Sequence, residues 1–161
     1  MPNLFLNGVA MGAAPATAEF VEYTDPHMSS FLEPGLDSWS EIKRRIQVKV
    51  NTVDEYCDEH RIDSIDVLKL DAQGFDLEVI KGAKRLLSDR RVHFIYMEII
   101  FSQLYEGQPR ADEILRFLAD RGFVLVGIYN FAYPNELLGW ADALFMDPQF
   151  GTQAPNRVAA Q

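Results

Sequence analysis

The stretch that decides the fold is residues 67–82, VLKLDAQGFDLEVIKG. It begins with apolar residues typical of a buried strand and stops at Asp71. Gly74 then lets the backbone turn, and apolar residues follow at helical spacing. We therefore expect Asp71 at the carboxyl end of a central strand, just before a helix. Ligands bind at that end of the strands in open α/β sheets, although a carboxylate there can equally serve only as a helix cap.

The segments on either side of this stretch alternate between strand and helix patterns. Strands are predicted at LFLNGVA, TAEFVEY, IQVKVNTV, VLKLD, VHFIYMEII, FVLVGIYN and ADALFMD, and helices at VDEYCDEHR, FDLEVIKGAKRLLSD and ADEILRFLADRG. The alternation of strands and helices in the second half indicates crossover connections and a mostly parallel sheet. The last two strands have no helix pattern between them, so we expect antiparallel neighbours. Residues 24–41 are predicted to form a loop long enough to be functional.

Length and charge narrow the class of protein. The 161 residues are most simply one domain, predicted over residues 1–150, with a flexible polar tail over 151–161. A net charge of −9 argues against nucleic-acid partners and against an anionic membrane surface. No apolar run approaches the ~20 residues of a membrane span, and no signal-peptide pattern is present. We expect a cytoplasmic protein in which the single cysteine, Cys57, is a reduced thiol.

A second carboxylate, Glu98, lies near the end of the strand VHFIYMEII. If that strand lies next to VLKLD in the sheet, the side chains of Asp71 and Glu98 line the same crevice. Such a pair can bind a divalent metal, act as a general base or bind a ligand hydroxyl. A charge in so apolar a run is costly unless it is paired, so Glu98 is expected to have a functional or structural role. Because no histidines or cysteines accompany the pair at metal-ligand spacing, a metal-dependent hydrolase is the weakest of these hypotheses and no metal is expected.

The stretch VLKLDAQGFDLEVIKGAKRLL resembles the signature of the FkbM-type methyltransferases, in which a strand LKxD precedes a-x-G-x-(D/E)-x-x-V-(I/L)-x-G-A. Five more pieces resemble that family in the same order: GVAMGAAPATAEF, MSSFLEP, VKVNTVDEYC, MEIIFSQLYEGQP and WADALFMDP. The resemblance covers residues 3–148. The family is similar to class I S-adenosylmethionine-dependent methyltransferases, which methylate hydroxyl oxygens of sugars, polyketides or similar small molecules. It implies an α/β fold with a Rossmann-like class I sheet, mostly parallel with an antiparallel last strand.

The resemblance also implies roles for individual residues. LFLNGVA would be the third strand of the class I sheet. Asp71 or Glu98 would orient or deprotonate the acceptor hydroxyl. Tyr105, in the loop SQLYEGQPR, would lie over the acceptor pocket, with a purely packing aromatic as the alternative. Four residues would contact the cofactor S-adenosylmethionine, two beside its adenine and two at the methyl-transfer centre: Ala10, Met11, Asp71 and Ala72.

The sequence departs from the family pattern in two respects. The pattern usually has glutamate where Gln73 and Asp76 stand; Asp76 keeps the charge on a shorter side chain and Gln73 loses it. The glycine-rich loop of the family's first strand and the acidic residue that ends its second strand have no counterpart here. The resemblance therefore implies a domain truncated at its N-terminus, and we expect the chain alone to bind S-adenosylmethionine poorly.

The missing strands have a further consequence for partners. Without them VLKLD would be an exposed apolar edge, which favours pairing of the sheet with a second copy of the chain. An alternative function is a non-catalytic α/β interaction module that has lost cofactor binding.

Overall fold

The computed structural model describes residues 4–150, except the side chain of Asn135, so the tail predicted at 151–161 lies outside the described residues. The strands are β1 (Ala10–Met11), β2 (Ala16–Tyr23), β3 (Ile42–Asn51), β4 (Ile65–Leu70), β5 (Val92–Ile100), β6 (Val124–Ala132) and β7 (Trp140–Met146). The helices are α1 (Val53–His60), α2 (Asp76–Lys81), α3 (Lys84–Ser88) and α4 (Ala111–Ala119). Short 3₁₀ turns occupy Pro26–Met28 and Pro134–Glu136.

The strands form two separate sheets. The smaller has the order β1-β3-β2, with β1 parallel and β2 antiparallel to β3. The larger has the order β4-β5-β7-β6, in which β4 is parallel to β5, and β7 is antiparallel to both β5 and β6. Strands β4, β5 and β6 therefore run in one direction and β7 runs in the other. This confirms the predicted antiparallel pairing of the last two strands.

The side chains of β5 point alternately into the hydrophobic core and to the face that carries Glu98. Ile95, Met97 and Ile99 are at most 1% exposed and pack in the main core, together with apolar residues of all four helices. Because successive side chains of a strand point to opposite faces, Tyr96 and Glu98 lie on the other face of the sheet, where both are only half-buried. Glu98 is thus anchored by a rigid central strand without being part of the core.

The helix predicted from Phe75 to Asp89 is interrupted. It forms α2 and α3, which are separated at Gly82 and Ala83. Residue 82 has to be a glycine at this break, since a Cβ there would lie 2.1 Å from the carbonyl oxygen of Gly12. The Gly82 carbonyl also accepts a hydrogen bond from the backbone N–H of Asp54, at 3.0 Å. Gly82 is therefore the point where the loop after β1 and the start of α1 meet the helical layer.

The prediction of a strand over LFLNGVA, as the third strand of the main sheet, is wrong. Only Ala10 and the following Met11 form a strand, and they pair with β3 of the smaller sheet. Leu4, Phe5 and Leu6 are 81%, 77% and 89% exposed, with no regular structure. A strand needs a neighbouring backbone to pair with, and these residues have none within the described part of the chain. Their apolar pattern alone was therefore a poor guide.

The expected open edge is seen at β4. Within residues 4–150, β4 pairs with β5 alone, and Val67 at its middle is 57% exposed. An uncovered strand presents unpaired backbone groups to its surroundings. The carboxyl end of this edge strand lies next to the residues that form the candidate site.

Candidate functional site

The two predicted carboxylates lie at the same edge of the larger sheet. The parallel register pairs Leu70 with Met97, so the next residues along the two strands, Asp71 and Glu98, are neighbours. The side chain of Gln73 lies between them. Its Nε2 donates to Asp71 Oδ1 at 3.0 Å and to Glu98 Oε2 at 3.4 Å. The structure thus brings together the two residues that the sequence singled out for chemistry.

The alternative that Asp71 is only a helix cap is wrong. Helix α2 begins at Asp76, its N-cap position is Phe75, and that position makes no side-chain capping bond. The carboxylate of Asp71 instead interacts with Gln73 and with Nζ of Lys69, at 3.4 Å. Asp71 therefore faces the sheet edge and not the helix terminus.

The side chain of Asp76 has the local structural role instead. It is nearly fully buried, and its Oδ1 accepts a hydrogen bond from the backbone N–H of Ala72 at 3.2 Å. Burial raises the pKa of the Asp76 carboxyl to about 6, although that backbone bond opposes the rise. Asp76 thereby holds the turn that carries Asp71 and Gln73 in position.

Glu98, one of the candidate catalytic groups, has a strongly raised pKa. Burial and, after it, the neighbouring carboxylates of Asp71, Asp76 and Asp142 together raise the pKa of its carboxyl to about 7, while Lys69 opposes them. A carboxyl whose pKa lies near neutrality can exchange a proton with a ligand under ordinary conditions. The geometry and the charge both favour Glu98 as the proton acceptor of the pair.

The four residues predicted to contact a cofactor share one cavity of about 300 Å³. Its walls are largely apolar and include three aromatic rings, those of Phe20, Phe31 and Phe75, and the centroids of the last two are 4.8 Å apart. Asp71 is the only carboxylate in the lining, and Lys69 the only cation. The predicted residues are Ala10, Met11, Asp71 and Ala72.

A second cavity, of about 490 Å³, also has Asp71 in its lining. Gln73 and Glu98 form its polar wall. Trp39 and Trp140 face it with ring centroids 5.8 Å apart. The two cavities share three lining residues, which are Phe20, Ser29 and Asp71.

Tyr105, the predicted substrate contact, is 2% exposed. Its hydroxyl lies 2.9 Å from Gln73 Oε1 and 3.1 Å from the carbonyl oxygen of Met28. Burial raises the pKa of this hydroxyl, so it remains protonated and donates. Its ring also borders a third cavity, of about 680 Å³, formed by the loop before α4. Tyr105 is therefore buried and in contact with Gln73, the residue that bridges the two carboxylates.

Sequence reasoning missed the residues that connect and surround the pair. Gln73 was noted only as a departure from a pattern, and its bridging position depends on the pairing of β4 with β5. Trp39 and Trp140 are the only tryptophans of the chain, and both line the larger of the two cavities that meet at Asp71. The one available signal was their rarity, together with the position of Trp39 in the long loop between β2 and β3.

The arrangement of possible metal ligands and the lengths of the helices bear on metal binding and on membrane insertion. Among residues 4–150, no group of three or more histidine, cysteine, aspartate or glutamate side chains is arranged to hold a metal ion. None of the helices in that range is long and apolar enough to cross a membrane.

Comparison with known proteins gives two matches. The family profile of the methyltransferase FkbM domain matches residues 7–125. A 2-O-methyltransferase of Sinorhizobium fredii, NoeI, is 38% identical over 80 residues, which are 50% of this chain and 32% of that protein. The chain thus matches about a third of the length of this curated relative, and no solved structure matches it. Because the family profile covers most of the chain, including both candidate carboxylates, the protein belongs to the FkbM methyltransferase family.

Proposed function

We propose that this chain holds the acceptor and the methyl-transfer centre of an S-adenosylmethionine-dependent O-methyltransferase, which acts on a hydroxyl of a small molecule or a sugar. The observation that carries the proposal is the meeting of two cavities at Asp71, with Glu98 lining the larger one. Methyl transfer needs a donor and an acceptor side by side, and positioning supplies much of the rate enhancement. Two adjoining cavities with a carboxylate at the junction meet that requirement.

The sheet supports a class I, Rossmann-like assignment. The order β4-β5-β7-β6, with β7 alone reversed, agrees with the second half of the class I order 3-2-1-4-5-7-6. The candidate site lies at the carboxyl ends of β4 and β5, where α/β sheets bind their ligands. We therefore assign β4 and β5 to the fourth and fifth strands of that order.

The smaller cavity suits S-adenosylmethionine in its chemistry. The apolar wall formed by Met11, Phe31 and Phe75 can hold the adenine ring. The carboxylate of Asp71 lies where it can attract the positively charged sulfonium, in a protein whose net charge is −9. When bound, the cofactor supplies an electrophilic methyl group on that sulfur.

The larger cavity suits a ring-shaped acceptor with hydroxyl groups. Trp39 and Trp140 offer aromatic rings, and Asp71 and Glu98 offer hydrogen-bond acceptors in the same lining. A sugar ring has apolar faces that pack on aromatic rings and an edge of hydroxyls that donate to carboxylates. We assign the acceptor to this cavity for that reason.

Glu98 and Asp71 have different roles in the proposed methyl transfer. Glu98 accepts the proton of the acceptor hydroxyl while the oxygen of that hydroxyl attacks the methyl group of the donor. Asp71 orients that hydroxyl and balances the positive charge of the donor sulfur. The half-buried setting of Glu98 keeps bulk water from competing for the proton.

The cofactor assignment is testable by saturation-transfer NMR with S-adenosylmethionine. We expect contact with the adenine protons and a dissociation constant above the micromolar range, because Asp71 is the only carboxylate described in the cavity. Ala10→Trp should fill the cavity and abolish that contact. The matched control is Ala119→Trp, since Ala119 is exposed at the end of α4 and should leave the contact unchanged.

Two results would contradict the assignment. One is an adenine signal that persists in Ala10→Trp while the variant retains the wild-type circular dichroism spectrum. The other is micromolar affinity by calorimetry, which would show that the chain holds more of the cofactor than this cavity provides.

A further inference from the structure

We propose that Gln73 is a positioning residue, whose side-chain amide holds Asp71 and Glu98 side by side while the Tyr105 hydroxyl fixes the direction of that amide. The inference deepens the proposed function, on which its catalytic meaning rests. The contacts themselves are properties of the folded chain and can be tested without donor or acceptor.

The amide has a donor for each carboxylate. A primary amide nitrogen carries two N–H groups, and Nε2 of Gln73 lies 3.0 Å from Asp71 Oδ1 and 3.4 Å from Glu98 Oε2. Hydrogen bonds to a carboxylate favour its charged form and offset part of the cost of burial. The amide therefore keeps two negative groups together without adding a charge.

The opposite end of the amide determines which way it points. Its Oε1 lies 2.9 Å from the hydroxyl of Tyr105, which is buried and protonated. If the amide turned over, its oxygen would face Asp71 and Glu98, and neither group in its ionised form would receive a hydrogen-bond donor from it. The hydroxyl of Tyr105 thus stabilises the only orientation in which both carboxylates receive a donor.

The backbone of Gln73 is held as firmly as its side chain. Its φ of 48° lies in the left-handed region, which is costly for a residue with a side chain. The Gln73 carbonyl accepts a hydrogen bond at 2.7 Å from Oγ of Ser30, a residue that is 1% exposed. A strained residue persists only where its surroundings fix it. Ser30 and Tyr105 come from two different loops, and together they fix Gln73.

The neutral amide also has an electrostatic consequence. Glu98 faces the carboxylates of Asp71, Asp76 and Asp142, the hydroxyl of Tyr105 and the ammonium of Lys69. A glutamate in place of Gln73 would add another negative charge within hydrogen-bonding distance of the pair. One of the three carboxyls would then retain a proton at neutral pH.

The test is an NMR titration of the Glu98 side-chain carboxyl in the 161-residue chain. Gln73→Met removes both donors but keeps an unbranched side chain of similar length. It should raise the titration midpoint of Glu98 by about one pH unit, a tenfold change in proton affinity. Tyr105→Phe removes a single oxygen and should raise the midpoint by a smaller amount, because the amide loses its fixed direction.

The control is Gln47→Met, because Gln47 is exposed on β3 and its substitution should leave the midpoint unchanged. Gln73→Met with an unchanged midpoint would overturn the proposal. If Gln73→Met fails to fold, an unchanged midpoint in Tyr105→Phe would overturn it instead. If the midpoint rises in Gln73→Met alone, the bridging role of Gln73 stands and the orienting role of Tyr105 is refuted. Neither donor nor acceptor is present in this titration, so its outcome is independent of the proposed function. The midpoint can stay unchanged although methyl transfer is observed, and it can rise although no methyl transfer is observed.

Discussion

Replacing Glu98 by glutamine is expected to lower the rate of methyl transfer about 100-fold or more, while acceptor binding stays unchanged. Glutamine keeps the size of the side chain but cannot accept the proton of the acceptor hydroxyl. General-base catalysis of this kind contributes about 10²–10⁴ to a rate. The loss should therefore appear in kcat and leave KM close to the wild-type value.

The pH dependence supplies an independent check on Glu98. Its pKa is raised to about 7, and only the deprotonated form can act as a base. The wild-type rate should therefore rise with pH up to about 7 and then level off. This rising limb should be absent from the residual rate of Glu98→Gln.

The stability of the same variant separates catalysis from misfolding. The folded-state pKa of Glu98 lies above its ordinary value of 4.5, so the folded state holds an extra proton between pH 4.5 and about 7. The free energy of unfolding should fall as pH rises through that window, and the penalty persists above it. Glu98→Gln removes that contribution, so at pH 8 the variant should be at least as stable as the wild type.

The measurement is transfer of a labelled methyl group, with Glu59→Gln as the control because Glu59 is exposed on α1. Acceptor binding can be followed by intrinsic fluorescence, since both tryptophans of the chain line the acceptor cavity. If the variant retained more than about a tenth of the wild-type rate, Glu98 would not be the general base.

Replacing Gly82 by alanine is expected to lower the free energy of unfolding by about 2 kcal/mol or more. The added Cβ would lie 2.1 Å from the carbonyl oxygen of Gly12, a backbone atom in the loop directly after β1. The φ of Gly82 is −74°, a value that alanine adopts freely, so the cost arises from this contact and not from backbone strain. The better helix propensity of alanine offsets at most about 1 kcal/mol.

Urea denaturation of Gly82→Ala and Gly8→Ala makes the comparison direct. No atom lies within 4 Å of a Cβ built at Gly8, so that variant should remain within about 0.5 kcal/mol of the wild type. Equal shifts in the two unfolding midpoints would show that the Gly12–Gly82 contact does not support the fold.

Local periodicity was enough to predict most elements of the larger sheet. Strands β4, β5, β6 and β7 and helix α4 form where apolar alternation or helical spacing predicted them. The failures have long-range causes. LFLNGVA has a strand pattern but no partner strand in the described part of the chain over most of its length, and the predicted helix is interrupted at Gly82 and Ala83, where the backbone of Gly12 packs against it.

The part of the candidate site that lies at the ends of strands was predictable from the sequence. Asp71 and Glu98 meet because parallel neighbours end at the same edge, a rule that the sequence alone can use. The bridging position of Gln73 depends on a left-handed backbone and on Ser30 and Tyr105, which lie far from it in sequence. Such contacts have no periodic signal and emerge only from the three-dimensional structure.

The most direct test of the account is product analysis after incubation of the chain with S-adenosylmethionine labelled in its methyl group, at millimolar concentration, and a panel of methyl pyranosides. We expect a labelled methyl ether on one hydroxyl of at least one pyranoside, formed by the wild-type chain and lost in Glu98→Gln. Label that remains on the donor with every acceptor, while the adenine contact is detected by saturation transfer, would contradict the catalytic claim and favour a non-catalytic interaction module.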